Sequence, residues 1–451
     1  MSRAEARRTH AIVIGGGIAG LLAARVLVNH FAQVTLIERD HYPDTPVFRA
    51  GVPQGRHIHV MLLRGQRALE ELFPGLKAKL LAHGAIERTY GAEGDGASLY
   101  YYGGRCSQIP PVLRGWNCSR PLLEWQIRQE LATYPNIQFK EGYEVVHLLP
   151  GKTAHEVCGV QFRARAPFST QEIQELRADL IVDASGSSSR VATWLKELGE
   201  AIPQERTIQT WVHYATRRYL PPEQSPWKEV AIQTTQPGRP AGAVMEIEGG
   251  HWLVSLTGVG KEQLHPKTEE DFLAFARDLA EPVLYEAIAS ATPISPVYGY
   301  QKVENRQRHL HHQLEGFIVL GDALCSFNPL YGQGMTIAVL EAQLLDTCLR
   351  RHSTNRGAAH QFQKKVTRLL TFPWQLAAAA DASARLTASK GQAKGFNYIE
   401  HLIALLPHDQ KALLTFLEVI HMVRTPLTLF HPFLITKVMA HRWKQQNREK
   451  G

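Results

Sequence analysis

The stretch His10–Asp40, HAIVIGGGIAGLLAARVLVNHFAQVTLIERD, constrains the fold of this chain more than any other. Ala11 to Ile14 is a short apolar run rich in β-branched residues, which predicts a buried strand. Gly15, Gly17 and Gly20 then form G-x-G-x-x-G, and Leu21, Leu22, Ala23, Ala24, Val26 and Leu27 carry a helical pattern. Gly15 permits the tight turn, Gly17 lets backbone amides approach a pyrophosphate, and Gly20 lets the helix lie close to the strand. Ile18 and Ala19 sit where the helix opens, and the free N–H groups and positive dipole end there suit that anion. A second strand, Val34 to Ile37, ends in Glu38, eighteen residues after Gly20, where a ribose-binding carboxylate belongs; Arg39 follows it. A lone glycine triad is a weak signal. Strand, glycines, helix, strand and terminal acid in one unit predict a dinucleotide-binding βαβ.

The rest of the composition sets bounds. At 451 residues the chain has room for two or three domains, and 20% charged with 44% hydrophobic residues is ordinary for a soluble globular protein. The five cysteines (Cys106, Cys118, Cys158, Cys325, Cys348) form no C-x-x-C pair and have no zinc spacing, so no metal site is expected. Such a scattered, odd set predicts reduced thiols and a cytoplasmic setting. The polar start SRAEARRTH leads straight into the first strand and predicts no signal peptide. Nowhere do eighteen uncharged apolar residues run together, so no bilayer span is expected. The net charge of +8 reads either as attraction to an anionic partner (pyridine nucleotide, acyl carrier or membrane) or as a solvated basic surface. No nucleic-acid module, low-complexity tract or repeat is visible, so nucleic acid is not an expected partner.

Along the chain, a Pro/Gly loop carrying Gln54, Arg56, His57 and His59 precedes an expected helix from Ile58 to Leu72. Residues 91–117, rich in Gly and Tyr, predict strands of a second sheet, and Arg120–Leu131 predicts a helix. Ile137–Phe139, Tyr143–Leu149 and Val157–Phe162 read as a β-meander, and Ala178–Ala184 as another apolar strand followed by a small-residue loop, Ser185 to Arg190. A strand-rich block follows at Thr207–Ala215, Val230–Thr234, Gly242–Ile247 and Trp252–Val259, closed by helical segments at 270–280 and 282–290 and a strand at 297–303. From about 358 the pattern is helical. Leu402, Ile403, Leu405, Leu413, Phe416, Ile420 and Val423 predict helices packed on the body or lying on a membrane surface.

The most specific stretch is GFIVLGDALCSFNPLYGQGMTIAVLEA, residues 316–342. Phe317–Leu320 reads as a strand running into Gly321-Asp322, and a helix is expected from near Gly334 to Arg350. A carboxylate at the end of a buried strand accepts hydrogen bonds from a polyol such as ribityl. Backbone amides over Gly332, Gln333, Gly334 and Met335 would face an electron-rich ring edge, and a helix N-terminus stabilises negative charge there.

Taken together, these stretches resemble the para-hydroxybenzoate-hydroxylase-like (class A) FAD-dependent monooxygenases over roughly residues 8–345. Gly15, Gly17, Gly20 and Glu38 match that family's ADP-binding motif, and Gly321, Asp322, Pro329, Gly332 and Gly334 its second FAD motif. Arg120, opening RPLLEWQIRQEL, looks like the arginine that reaches the flavin; Val145 completes the expected cofactor contacts. Many hydroxylases carry Asp-Gly where this chain has Ser185-Gly186, a form more like the squalene and polyether epoxidases, halogenases and geranylgeranyl reductases. No W-x-W-x-I-P halogenase motif occurs; VPQGRHIHVMLLRG (52–65) and FNPLYGQGMTIA (327–338) look most like the epoxidases.

The resemblance implies an α/β fold: a Rossmann-like FAD-binding domain of glutathione-reductase type, interleaved with an antiparallel-sheet substrate domain and followed by a helical region. The expected divisions are 8–90, 118–200 and 305–350 for FAD, 91–117 and 201–304 for substrate, and 355–451 for the helices. It further implies FAD as cofactor, NAD(P)H as electron donor, and O2 with a small apolar substrate as the other partners. One oxygen atom would pass from a flavin C4a-hydroperoxide to an alkene or aromatic natural product, by epoxidation or hydroxylation. A double-bond reductase of geranylgeranyl type and a flavin-binding module without turnover stand beside it. Oxygen transfer of this kind asks more of a dry pocket and a correct pose than of acid–base groups. His57, His59 and Tyr331 are the candidates for orienting substrate or donating a proton, and each also reads as a packing residue. Cys325 reads as a small buried hydrophobe. The C-terminal helices have three readings: peripheral membrane contact, pocket lid or dimer contact. The oligomeric state is open.

Overall fold

The computed structural model describes residues 8–90, 97–101, 104–106, 108–153, 155–165, 172–225, 229–232, 240–259, 266–310, 314–328, 332–352, 355–388 and 398–448. Pro329 and Tyr331 lie outside them.

The apolar runs read from the sequence assemble into a five-stranded parallel sheet, ordered Phe317–Val319, Leu180–Asp183, His10–Ile14, Gln33–Glu38, Ile137–Glu141. Its central strand is flanked on both sides, so Ala11, Ile12 and Val13 are fully buried, as β-branched residues in a covered parallel sheet should be. The helices Ile18–Leu27, Arg120–Ala132 and Gln333–Arg351 share the main core with this sheet. Helix Arg120–Ala132 has a local start signal: the Ser119 hydroxyl accepts the Leu122 N–H at 3.2 Å, with Pro121 in the first turn.

A second sheet is mostly antiparallel and runs Cys325–Ser326, Tyr298–His309, Gln204–Leu220, His251–Val259, Ala241–Ile247, Glu229–Ile232, Ala97–Tyr101, Gly104–Arg105. Helices Glu269–Arg277 and Val283–Ala289 cover one face of it around Tyr219, Trp252 and Phe272. The expected division at 304/305 falls inside the strand Tyr298–His309, which is continuous, and Cys325–Ser326 pairs with that strand's end.

Two sequence expectations need correction. The helix expected from Ile58 begins at Leu63, and residues 58–62 are not helical. Two of their backbone amides are taken by partners distant in sequence: Ile58 N–H reaches Ser255 Oγ at 3.4 Å and Leu62 N–H reaches Thr336 Oγ1 at 3.2 Å. The expected meander also loses its first member. Ile137–Glu141 joins the parallel sheet, and the three-stranded antiparallel sheet is Tyr143–Pro150, Val157–Ala164 and Gln174–Arg177. A three-residue run beside a buried helix looks alike in either sheet.

The helices Tyr398–Leu405 and Gln410–Ile420 pack on the body. Leu402, Leu405, Leu413 and Phe416 share a cluster with Leu63, Ile109 and Leu113. No helix among the described residues is long and apolar enough to cross a membrane.

Candidate active site

A single cleft runs from the carboxyl ends of the parallel strands to the face of the second sheet. At its first end, Gly15 has φ 95°, and its N–H donates to Ile37 O at 2.8 Å. A Cβ on Gly15 would lie 2.7 Å from Ala184 O, and one on Gly20 would lie 1.8 Å from Gly15 O. These two glycines answer to packing. Gly17 is different: nothing lies within 4 Å of where its Cβ would be. The same holds for Gly186 and Gly334, so three backbone tips from three separate motifs border open space in one cleft.

Glu38 is buried. Its Oε2 accepts the Gly16 N–H at 2.6 Å and its Oε1 accepts the Asp40 N–H at 3.0 Å. Beside it Arg49 acts as a clamp: Nε donates to Glu124 Oε1 at 2.7 Å, Nη1 to Asp40 Oδ2 at 3.1 Å and Nη2 to Gly16 O at 3.0 Å. Burial works against the guanidinium's charge, but Glu124 and Glu38 outweigh it and hold its pKa above the ordinary value. In the middle of the cleft the Asp183 carboxylate ties down the small-residue loop. It accepts Ser185 N–H at 3.0 Å, Ser185 Oγ–H at 2.6 Å and Ser189 Oγ–H at 2.6 Å.

Asp322 stands in a turn directly after the strand Phe317–Val319. Burial raises its pKa, and the nearby cations Lys302 and Arg120 oppose that rise. The preceding Gly321 N–H donates to Glu341 Oε2 at 2.7 Å, from a carboxyl fully enclosed in the helix Gln333–Arg351. Burial pushes Glu341 up to about 8, so it is largely a neutral acid at pH 7. Gly332 caps that helix in a left-handed conformation with no side-chain cap, which leaves the first-turn amides turned to the cleft.

The far end is lined by Ile58, His59, Val60, Tyr300, Lys302, Phe327 and Asn328. His59 Nδ1 lies 2.9 Å from His57 O; a carbonyl only accepts, so Nδ1 carries the proton and Nε2 is an acceptor. Burial, with Arg120 adding to it, draws His59 down to about 3, and the ring stays neutral. His57 lies behind the lining: Nδ1 meets Thr216 Oγ1 at 2.7 Å, that hydroxyl meets Ser255 Oγ at 2.5 Å, and the ring sits 5.5 Å from Tyr300. Burial, then Arg56, lowers His57 to about 4. Burial lowers Lys302, whose Nζ is hydrogen-bonded to the Ser326 hydroxyl. Cys325 is buried, and burial pushes its thiol up, away from reactivity.

Among the residues singled out from sequence, Gly15, Gly17, Ile18, Ala19, Glu38, Arg39, His59, Arg120, Val145, Asp322, Gly332, Gly334 and Met335 line this one cleft. Gly20 and Gln333 pack beneath it, and His57 stands back from it. Pro329 and Tyr331 fall outside the described residues. Sequence reasoning missed Arg49, Tyr300, Lys302 and Glu341. Three of these carried a signal: Tyr300 and Lys302 are two apart on a strand and so share its face, and Glu341 is a lone acid in the apolar run AVLEA.

The described FAD binding domain family matches residues 8–380 of the chain. Protein Rv3254 of Mycobacterium tuberculosis is 32% identical over 385 residues, covering 83% of this chain and 81% of that protein. Kynurenine 3-monooxygenase of Salinispora tropica is 25% identical over 394 residues, with 79% and 76% covered. Among solved structures, a flavoprotein/dehydrogenase from Cytophaga hutchinsonii superposes with a TM-score of 0.68 at 14% identity, covering 97% of this chain and 100% of that one; it shows the shared fold.

Proposed function

From the premise that this chain belongs to the FAD binding domain family of flavin-dependent monooxygenases, we propose that it inserts one oxygen atom from O2 into an apolar alkene or aromatic substrate. The observation that carries the reading is the lining of the cleft. Open glycine tips (Gly17, Gly186, Gly334) and the carboxylates Glu38 and Asp322 are spread along it, and Ile58, Val60, Tyr300 and Phe327 add an apolar lining.

The residues fit FAD. Gly15, Gly17, Ile18 and Ala19 would hold the pyrophosphate, Glu38 and Arg39 the adenosine ribose, and Val145 and Arg120 the middle of the molecule. Asp322 would hold the ribityl chain, and the amides of Gly332 to Met335 the ring edge, with Gln333 packed below. Pro329 belongs to the same motif. When bound and reduced by NAD(P)H, FAD supplies the electrons that activate O2. The chain's own contribution is placement and dryness: Arg49 and Arg120 hold Glu124 and the start of its helix, and Phe327, Ile58 and Val60 keep water from the far end. His59, a lining residue held neutral with Nε2 as its acceptor, would accept a hydrogen bond from substrate or flavin. Tyr300, in the lining, and His57, behind it, set the pose. Tyr331 remains the candidate donor on the second motif's loop. The division into an FAD-binding part, a sheet for substrate and a helical C-terminus follows the same reading, as does peripheral contact of the last helices with a membrane holding an apolar substrate.

The test is isotopic. The purified yellow protein is reduced anaerobically by NADPH or NADH, then mixed with 18O2 and a panel of polyenes and aromatics. One 18O atom in a product, with O2 uptake matched to NAD(P)H consumed, is the expected result. Saturation of a double bond without O2 would instead establish the geranylgeranyl-type reductase. A protein holding no flavin would sink both.

A further inference from the structure

Exposed large apolar side chains are not spread evenly over this molecule. Of the fourteen among the described residues, six lie between Leu427 and Trp443: Leu427, Phe430, Phe433, Ile435, Met439 and Trp443. Leu427 is 79% and Trp443 66% exposed, values that single apolar residues at a sealed surface seldom need. The helix Pro432–Arg448 is two-faced. Leu434 and Val438, four apart, are buried against Leu402, Leu413 and Phe416. Ile435, Met439 and Trp443, also four apart, form the neighbouring stripe and point outward.

Charge identifies what such a stripe would meet. Residues 421–451 hold six Lys or Arg (Arg424, Lys437, Arg442, Lys444, Arg448, Lys450) against one acid, Glu449. This tail therefore carries +5 of the chain's net +8. Two of these cations are paired with acids of the preceding segment, Lys437 with Asp409 and Arg424 with Glu418 at 2.8 Å; with those acids counted, residues 409–451 still hold seven Lys or Arg against three acids, a net +4. Lys411 and Lys437 lie over the Phe433 ring at 4.1 and 4.6 Å. Aromatic and aliphatic side chains among lysines and arginines suit the headgroup region of an anionic bilayer, where apolar burial and attraction to lipid phosphate add. A second copy of this chain would bring a like-charged surface against it.

We propose that residues 427–443 dock this protein on an anionic lipid surface. The fold links that surface to the cleft. His421, just before it, accepts the Arg64 N–H on its carbonyl at 3.2 Å and the Leu63 N–H on Nδ1 at 3.4 Å. Those two residues open the helix that follows the cleft-lining segment 58–60. Docking names the partner for the apolar-substrate reading above, and rests on that reading only for what the membrane delivers.

The test uses the full flavoprotein without NAD(P)H or substrate, so failure of the oxygen-transfer reading leaves it untouched. The protein is sedimented with vesicles of phosphatidylcholine alone and of phosphatidylcholine with phosphatidylglycerol. Binding to the mixed vesicles only, weakened by salt and accompanied by a blue shift of tryptophan emission absent in Trp443→Phe, is expected. Leu427→Asp and Trp443→Asp should each lower the partition coefficient about tenfold. Lys444→Glu should do so in proportion to phosphatidylglycerol, and Ile202→Asp, at an exposed apolar site elsewhere, should do nothing. Absence of binding to the mixed vesicles would overturn the proposal, as would binding that ignores Leu427 and Trp443. A lipid-free dimer dissolved by Trp443→Asp would assign the stripe to a second copy.

Discussion

At the scale of single residues, the glycines separate two demands that one motif compresses together. Gly20 is required by packing, because a Cβ there would lie 1.8 Å from Gly15 O. Gly17 is required by nothing in the protein, since no atom lies within 4 Å of its Cβ position. Gly20→Ala is therefore expected to lose about 1–3 kcal/mol of stability, read by denaturant unfolding. Gly17→Ala should melt like the parent in flavin-free form yet retain far less FAD, read by the absorbance of the purified protein and by titration. Equal melting losses in both variants would mean that Gly17 serves the fold and not a ligand. Such glycines are legible from sequence because their constraint is local. Arg49 is not: its best partner, Glu124, is 75 positions away, and only the folded chain brings both to Gly16 and Asp40.

At the scale of elements, the strands with one apolar run and one fate were legible, and those with two possible partners were not. Ile137–Glu141 has the same short pattern whether it pairs in a meander or beside Gln33–Glu38; only the register Val34–Ile137 to Glu38–Glu141 decides. The C-terminal helices show the same limit. Their apolar spacing announced a packed face, but not that His421 would pin Gln410–Ile420 to the start of Leu63–Leu72. That pin is pH-sensitive. Burial lowers His421 from its ordinary 6.5 to about 4, so the folded state favours the neutral ring whose Nδ1 accepts the Leu63 N–H. The associated stability is complete above pH 6.5 and is lost as pH falls toward 4, on the order of 3 kcal/mol in all. Hydrogen exchange should therefore accelerate in helix Gln410–Ile420 between pH 7 and 5, after correction for intrinsic rates, more than in strand His10–Ile14. His421→Asn, which keeps an acceptor without a titrating ring, should flatten that response; an unchanged response would place the acid-labile contact elsewhere.

At the scale of the whole molecule, the cleft belongs to no single unit. Its walls come from the parallel sheet's strand ends, the 58–60 segment, Val145 of the three-stranded sheet, and Tyr300 and Lys302 of the long antiparallel strand. Lys302 and Asp322 come from different sheets' elements and face each other electrostatically. A ligand lying along that cleft stabilises the arrangement of all these parts at once, because it binds the folded chain and not the unfolded one. With free FAD at 100 times its Kd the gain is about 2.7 kcal/mol. Stripping the flavin should then lower the melting temperature by a few degrees, and FAD, but not FMN or riboflavin, should restore it in full, since of the three only FAD carries the adenosine that the proposed Glu38 contact requires together with the ribityl chain proposed for Asp322. Restoration by FMN would confine the bound ligand to the Asp322 end of the cleft and remove the reason for the first glycine motif. Gly17→Ala, folded but blocked at the pyrophosphate turn, supplies the control: its melting temperature should answer to FAD weakly or not at all, and a full response there would detach the dinucleotide from the Gly15–Gly20 turn.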